Sequence, residues 1–209
     1  MENNEVIKTE ADLSKFLLTL IDSKKLPAHI KTVEEAFTIA QMGKELGFAT
    51  MQAFHYIIPI QGRLSLSAKA IGALLRKGGI KFYTKEDGVY VFPDGSTDVI
   101  SPKADGTKPY DRRTTIVFNR EGMDETCSFT WRDAEGQGLT TKDNWKRMPR
   151  EMLYARCLAK GANRIGADML LGLYTAEEMA DTFLNESQVK RNEDGTISEV
   201  IDTNYTEVK

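Results

Sequence analysis

Lys142-Asp143-Asn144-Trp145-Lys146-Arg147-Met148-Pro149-Arg150-Glu151-Met152-Leu153-Tyr154-Ala155-Arg156-Cys157-Leu158-Ala159-Lys160-Gly161-Ala162-Asn163-Arg164-Ile165 is the stretch from which the fold is read. Pro149 suits the first turn of a helix, where its missing N–H costs nothing. The apolar spacing after it predicts a helix over residues 149–165. Tyr154, Ala155, Leu158, Ala162 and Ile165 then share one face, while Arg156, Lys160 and Asn163 fall opposite, with Arg164 beside them. The inward side includes alanines and Gly161, so this helix can lie close on a sheet.

The residues before it supply that sheet. Segments 80–83, 89–92, 113–119 and 126–131 have strand character. Glu86-Asp87-Gly88, between the first two, is a hairpin signal, and Arg120-Glu121-Gly122 joins the last two. Residues 94–111 are rich in Gly, Pro, Asp, Ser and Lys and predict a mobile loop. The expected fold class is α+β: a small antiparallel sheet packed against helices in a single domain.

Further out, the chain is helical. Thr9-Glu10-Ala11-Asp12 resembles a helix start, and Pro27 breaks that helical segment. Thr32-Val33-Glu34-Glu35 is a capping box for a helix ended by Gly47. A short helix at 51–56 leads into a strand at 57–61 and a turn at Gly62-Arg63. Ser67 caps the next helix, with Ile71, Leu74 and Leu75 inward and Gly78-Gly79 as its stop. Thr175-Ala176-Glu177-Glu178 is another capping box. The expected organisation is an N-terminal helical segment over 1–31 suited to oligomer contacts, a core domain over 32–184, and an acidic flexible tail over 185–209.

Net charge is −3, which does not advertise an anionic partner, but the charge is unevenly spread. Residues 1–60 carry −2, residues 61–164 carry +6 and residues 165–209 carry −7. Within 142–164 seven basic side chains face two acidic ones. A cationic row on a rigid helix can track a sugar-phosphate backbone without being ordered on binding, and an aromatic such as Trp145 could stack on bases. By pattern alone the same row also reads as a solvated helix face, and Trp145 as a core anchor. Lys69, Arg76 and Lys77, and the pair Arg112-Arg113, are weaker cationic candidates.

Nothing points to an enzyme. His29 and His55 lie in no metal or triad spacing, and no glycine-rich phosphate loop is present. Turn formation explains Asp94, Asp98, Asp105 and Asp111 more simply than a metal does, so a nuclease using these carboxylates is the weakest reading. No cofactor is expected, and magnesium is not indicated. Cys127 and Cys157 read as reduced core thiols. The N-terminus, Met1-Glu2-Asn3-Asn4-Glu5, lacks the features of a secretory signal. No apolar run approaches the roughly 20 residues of a membrane span, so an intracellular protein with no membrane partner is expected.

Two blocks resemble the RecT/Red-beta family of phage single-strand annealing recombinases. The first is Gly43-Lys44-Glu45-Leu46-Gly47-Phe48, Met51-Gln52-Ala53, Gly62-Arg63-Leu64-Ser65-Leu66-Ser67-Ala68, Ala73-Leu74-Leu75 and Gly78-Gly79. The second is Trp145, Pro149, Met152-Leu153, Ala155-Arg156, Ala162-Asn163-Arg164, Gly172-Leu173-Tyr174 and Glu177-Glu178. Together they span residues 32–182, and the order and spacing of the second make it the more specific. The resemblance implies a DNA-binding groove lined by the sheet and helices, and ATP-independent annealing of single-stranded DNA into duplex. It also implies homo-oligomeric rings or helical filaments in the cytoplasm of a bacterial host. A phage exonuclease and the host single-strand binding protein are the implied partners. Carried over by position, Arg150, Arg156, Lys160 and Arg164 would contact phosphates. Trp145, Lys142, Lys146, Arg147, Arg112, Arg113 and Lys69 complete the expected DNA-binding set. Asn163 stands where many relatives are expected to carry arginine, which shortens the row. The competing expectation is a structural or interaction protein that self-assembles and binds no DNA.

Overall fold

A computed structural model describes residues 9–179 apart from 61, 102 and 177, together with the backbone of 189–191 and 197–200. Hydroxyl caps start several of its helices. Thr9 and Asp12 form a capping box on α1 (Glu10–Asp22), and Thr32 and Glu35 do so on α2 (Val33–Glu45). Helix α3 (Thr50–Tyr56) runs straight into a hairpin of β1 (Ile57–Ile60) and β2 (Arg63–Leu66). Ser67 accepts from the Ala70 N–H to start α4 (Ala68–Lys77). The N-terminal segment is built into the domain: α1 buries Leu17 completely in the common core.

The main sheet has four antiparallel strands in the order β4-β3-β5-β6, comprising β3 (Lys81–Val91), β4 (Thr97–Asp98), β5 (Asp111–Arg120) and β6 (Met123–Thr130). The expected hairpin at Glu86-Asp87-Gly88 is not a turn. Strand β3 passes through it and pairs with β5 from Lys81↔Asn119 to Val91↔Asp111, with register shifts around Glu86. Gly88 has φ +63°, and positive φ suits a bulge as well as a turn. The bulge is pinned from β5: Thr115 Oγ1 donates to Glu86 at 2.6 Å, and the Gly88 N–H donates to Thr114 Oγ1 at 3.0 Å. Glu121-Gly122 does turn the chain between β5 and β6, both residues at positive φ.

The strand expected through residue 131 ends at Thr130, which caps the short helix α5 (Trp131–Gly136). A second short helix, α6 (Asp143–Arg147), precedes α7 (Pro149–Ile165). Helix α7 lies on the inner face of the sheet, among Ile116, Phe118 and Cys127. Gly161 is what allows the close approach, since a Cβ there would sit 2.1 Å from the Phe118 ring. Helix α4 packs on another side of α7. The helix expected to be half solvated is therefore covered along most of its length: Met152, Leu153, Ala155 through Ala159, Gly161 and Ala162 are all buried.

Beyond α7, the Tyr174 carbonyl accepts from the Leu66 N–H at 2.8 Å, tying the end of the domain to β2. Thr175 and Glu178 make the expected reciprocal cap. The result is a single α+β domain. A separate ladder pairs β7 (Val189–Arg191) with β8 (Ile197–Val200). The rest of the expected 185–209 tail lies outside the described residues. Among the described residues, no helix is long and apolar enough to cross a membrane.

Candidate nucleic-acid interface

The cations expected to form a row on α7 are mostly engaged by the fold. Arg156 is 9% exposed, so it lies inside the protein and not on an outer face. The Lys160 ammonium donates to the Ser128 carbonyl at 3.0 Å, which ties α7 to edge strand β6. Arg164 pairs with Glu125 at 2.9 Å. The period of the sequence sets Arg156 and Lys160 opposite the apolar face, with Arg164 beside them. It could not show that β6 and neighbouring elements cover that side as well.

A groove of about 830 Å³ opens elsewhere, between α4, the bulged part of β3 and the first turns of α7. Exposed Lys69 and Arg76 project from α4 and exposed Arg150 from α7. Tyr56, Phe82 and Tyr154 supply aromatic surface between them. The Arg76 guanidinium sits 4.9 Å from the centre of the Phe82 ring. Asp87 and Glu151 are the carboxylates in the lining, and Arg150 is ion-paired with Asp87. Burial pushes the Tyr154 phenol up, against the pull of Arg76, so its hydroxyl stays neutral at ordinary pH. Cations beside aromatic side chains on one concave surface are the chemistry that could take the phosphates and bases of a single strand without reading its sequence.

Of the expected contact residues, Lys69 and Arg150 meet in this groove, together with the weaker candidate Arg76. Lys77 does not: its ammonium donates to the Gly47 carbonyl at 2.8 Å, just past the end of α2. Arg113 is also engaged, clasping Glu86 through two bonds of 2.8 and 2.7 Å. Burial would raise the Glu86 carboxyl, but hydrogen bonds from Arg113 and Thr115 outweigh it and hold the group below the usual carboxylate range. Trp145 is a core residue, 1% exposed, with its ring 5.9 Å from that of Trp131 and 6.3 Å from that of Phe129. Arg112 and Lys146 line a second cleft, of about 340 Å³, on the far side of Pro149. Lys142 is half-buried, and Arg147 is exposed but lines neither cleft.

The aromatic members Tyr56, Phe82 and Tyr154 were not in the expected set. Tyr154 reads as part of an apolar face, Tyr56 and Phe82 carry no site signal of their own, and only the packing of α4 against α7 and β3 gathers their edges into one groove. Among the described residues, no three His, Cys, Asp or Glu side chains gather as a metal site would require. Both cysteines are buried, and burial pushes the Cys157 thiol up to about 12. No protein-family model, curated protein or solved structure matches this chain. A functional reading therefore rests on the chemistry of the groove and on the motifs that surround it.

Proposed function

We propose that this protein binds single-stranded DNA along the groove between α4 and α7 and anneals it to a complementary strand without ATP, as the RecT/Red-beta recombinases it resembles do. The observation that carries the reading is the meeting of Lys69, Arg76 and Arg150 with Tyr56, Phe82 and Tyr154 on one concave surface. Phosphate contacts supply sequence-independent affinity, and ring faces accept any base. Annealing breaks no covalent bond, so it needs no nucleophile, only a surface that concentrates and extends the strand. The two motif blocks support the same reading because they adjoin in space. The first contributes β2 and α4, the second contributes α7 and the return to β2, and the Leu66–Tyr174 hydrogen bond joins them. Self-assembly on DNA, a phage exonuclease and a host single-strand binding protein belong to this proposal as partners.

The direct test mixes complementary, fluorescently labelled oligonucleotides with the full chain in the absence of ATP. Annealing faster than the spontaneous reaction, with the protein bound to the single strands, is the expected result. No acceleration and no oligonucleotide bound at low salt would overturn the proposal, and assembly of the chain under those conditions would favour a structural role.

A further inference from the structure

The cleft beyond Pro149 is chemically distinct from the groove. Tyr90, Tyr110 and Trp131 present three rings around it. Two of them already carry a guanidinium: Arg112 lies 4.9 Å from the Tyr90 centroid and Arg132 lies 5.1 Å from that of Tyr110. Lys146 is exposed at the margin. The single carboxylate of the lining, Asp111, is engaged by the backbone, since its Oδ1 accepts from the Arg112 N–H at 2.7 Å and the Arg132 N–H at 3.3 Å. Among the described residues, no carboxylate pairs with the side chain of Arg112, Arg132 or Lys146. By contrast, Arg113, Arg120, Arg150 and Arg164 each have a carboxylate partner. Tyr110 is 48% exposed.

The volume, about 340 Å³, is at the small end of ligand sites and suits one nucleotide unit, not a run of them. The cleft also adjoins the groove. Pro149 lines the one and Arg150 the other. Gly88 lies between them: the Arg112 Nε donates to its carbonyl at 2.7 Å, and the Arg150 side chain packs over its Cα. A Cβ on Gly88 would lie 2.8 Å from Arg150 Cγ, and its φ of +63° also favours glycine.

We infer that this cleft is a second single-strand subsite that holds one nucleotide where the strand leaves the groove, its base stacked on Tyr110 and its phosphate met by Arg112, Arg132 and Lys146. The inference rests on the single-strand reading of the groove and extends it past the first turn of α7. Rings paired with unneutralised cations suit a base with its phosphate. An aromatic acidic peptide segment is the other occupant such a cleft would take, and continuity with the groove favours the nucleotide.

The test titrates the full chain with oligothymidylate carrying 2-aminopurine at successive single positions. With the wild type, fluorescence at one position is expected to be quenched by stacking. Tyr110→Ala should relieve that quench and weaken binding by about tenfold, within the range for one lost stacked base. Tyr110→Phe, which keeps the ring, should restore both. Arg132→Ala with Lys146→Ala should make the salt dependence of binding shallower by about 0.7 in log–log slope, the share of the one phosphate held there. Wild-type quenching, affinity and salt slope in both the Tyr110→Ala and the Arg132→Ala/Lys146→Ala proteins would overturn the inference and leave the groove reading standing. Failure of the wild type to bind any oligonucleotide would overturn both.

Discussion

Arg150, in the first turn of α7, has a side chain 58% exposed and lines the groove with Lys69 and Arg76. Arg156, less than about two turns further along the same helix, is 9% exposed and lies within the protein. Lys160 and Arg164 come next, one bonded to the β6 backbone and the other to Glu125. The residue type is the same in the first turn and the middle of the helix, and the surroundings are opposite. What separates them is what covers the helix. At its start α7 borders an opening between α4 and the β3 bulge. From Met152 to Ala162 it is enclosed on most sides, so Arg156 is buried and Lys160 bonds the β6 backbone, whereas Arg164, at the exposed end of the helix, pairs with Glu125.

This contrast can be broken by substitution. Arg156→Ala should lower stability by about 2 kcal/mol, the scale for truncating a long buried polar side chain, while the folded fraction keeps its affinity for oligonucleotide. Arg150→Ala should do the reverse, leaving the thermal midpoint unchanged and weakening binding. Thermal unfolding alongside anisotropy titrations checks both, and a binding loss larger for Arg156→Ala than for Arg150→Ala would break the comparison.

A smaller effect sharpens it through pH. Because the folded-state value of Glu86 is lowered, its clasp with Arg113 stabilises the protein above the ordinary carboxylate value of 4.5 and is lost as pH falls through the folded value. Glu86→Gln should cost about 1 kcal/mol near neutral pH, the scale of a charge-assisted hydrogen bond, and the gap to wild type should close in acid. A gap that stayed constant on urea unfolding from pH 7 down to pH 3 would show that the clasp contributes nothing through its charge.

Local chemistry is where the sequence was most readable. Thr32 with Glu35, and Ser67 before α4, satisfy helix N–H groups with their own side chains, so those starts need no tertiary information. Gly88 marks where reading failed, because positive φ serves a turn and a bulge alike and only pairing with β5 decides between them. Helices α5 and α6 are too short to carry a period, and they form where Trp131 and Trp145 pack against each other. The candidate site was half legible. Lys69, Arg150, Arg112 and Lys146 stand out as cations in a basic region, whereas the rings that accompany them come from five separate elements or their edges. The positions of Arg156 and Lys160 were legible by period, but their burial was not. Amphipathicity assumes one solvated side, and α7 beyond its first turn has little of one.

The most direct measurement is single-stranded DNA affinity against salt for three proteins: wild type, Lys69→Ala/Arg76→Ala/Arg150→Ala, and Lys160→Ala/Arg164→Ala. The groove variant should lose at least about tenfold in affinity, with a log–log salt slope shallower by about 2, three phosphates at about 0.7 each. The Lys160/Arg164 variant should keep the wild-type slope. A groove variant that binds as wild type does, while the Lys160/Arg164 variant loses affinity and slope, would contradict the account.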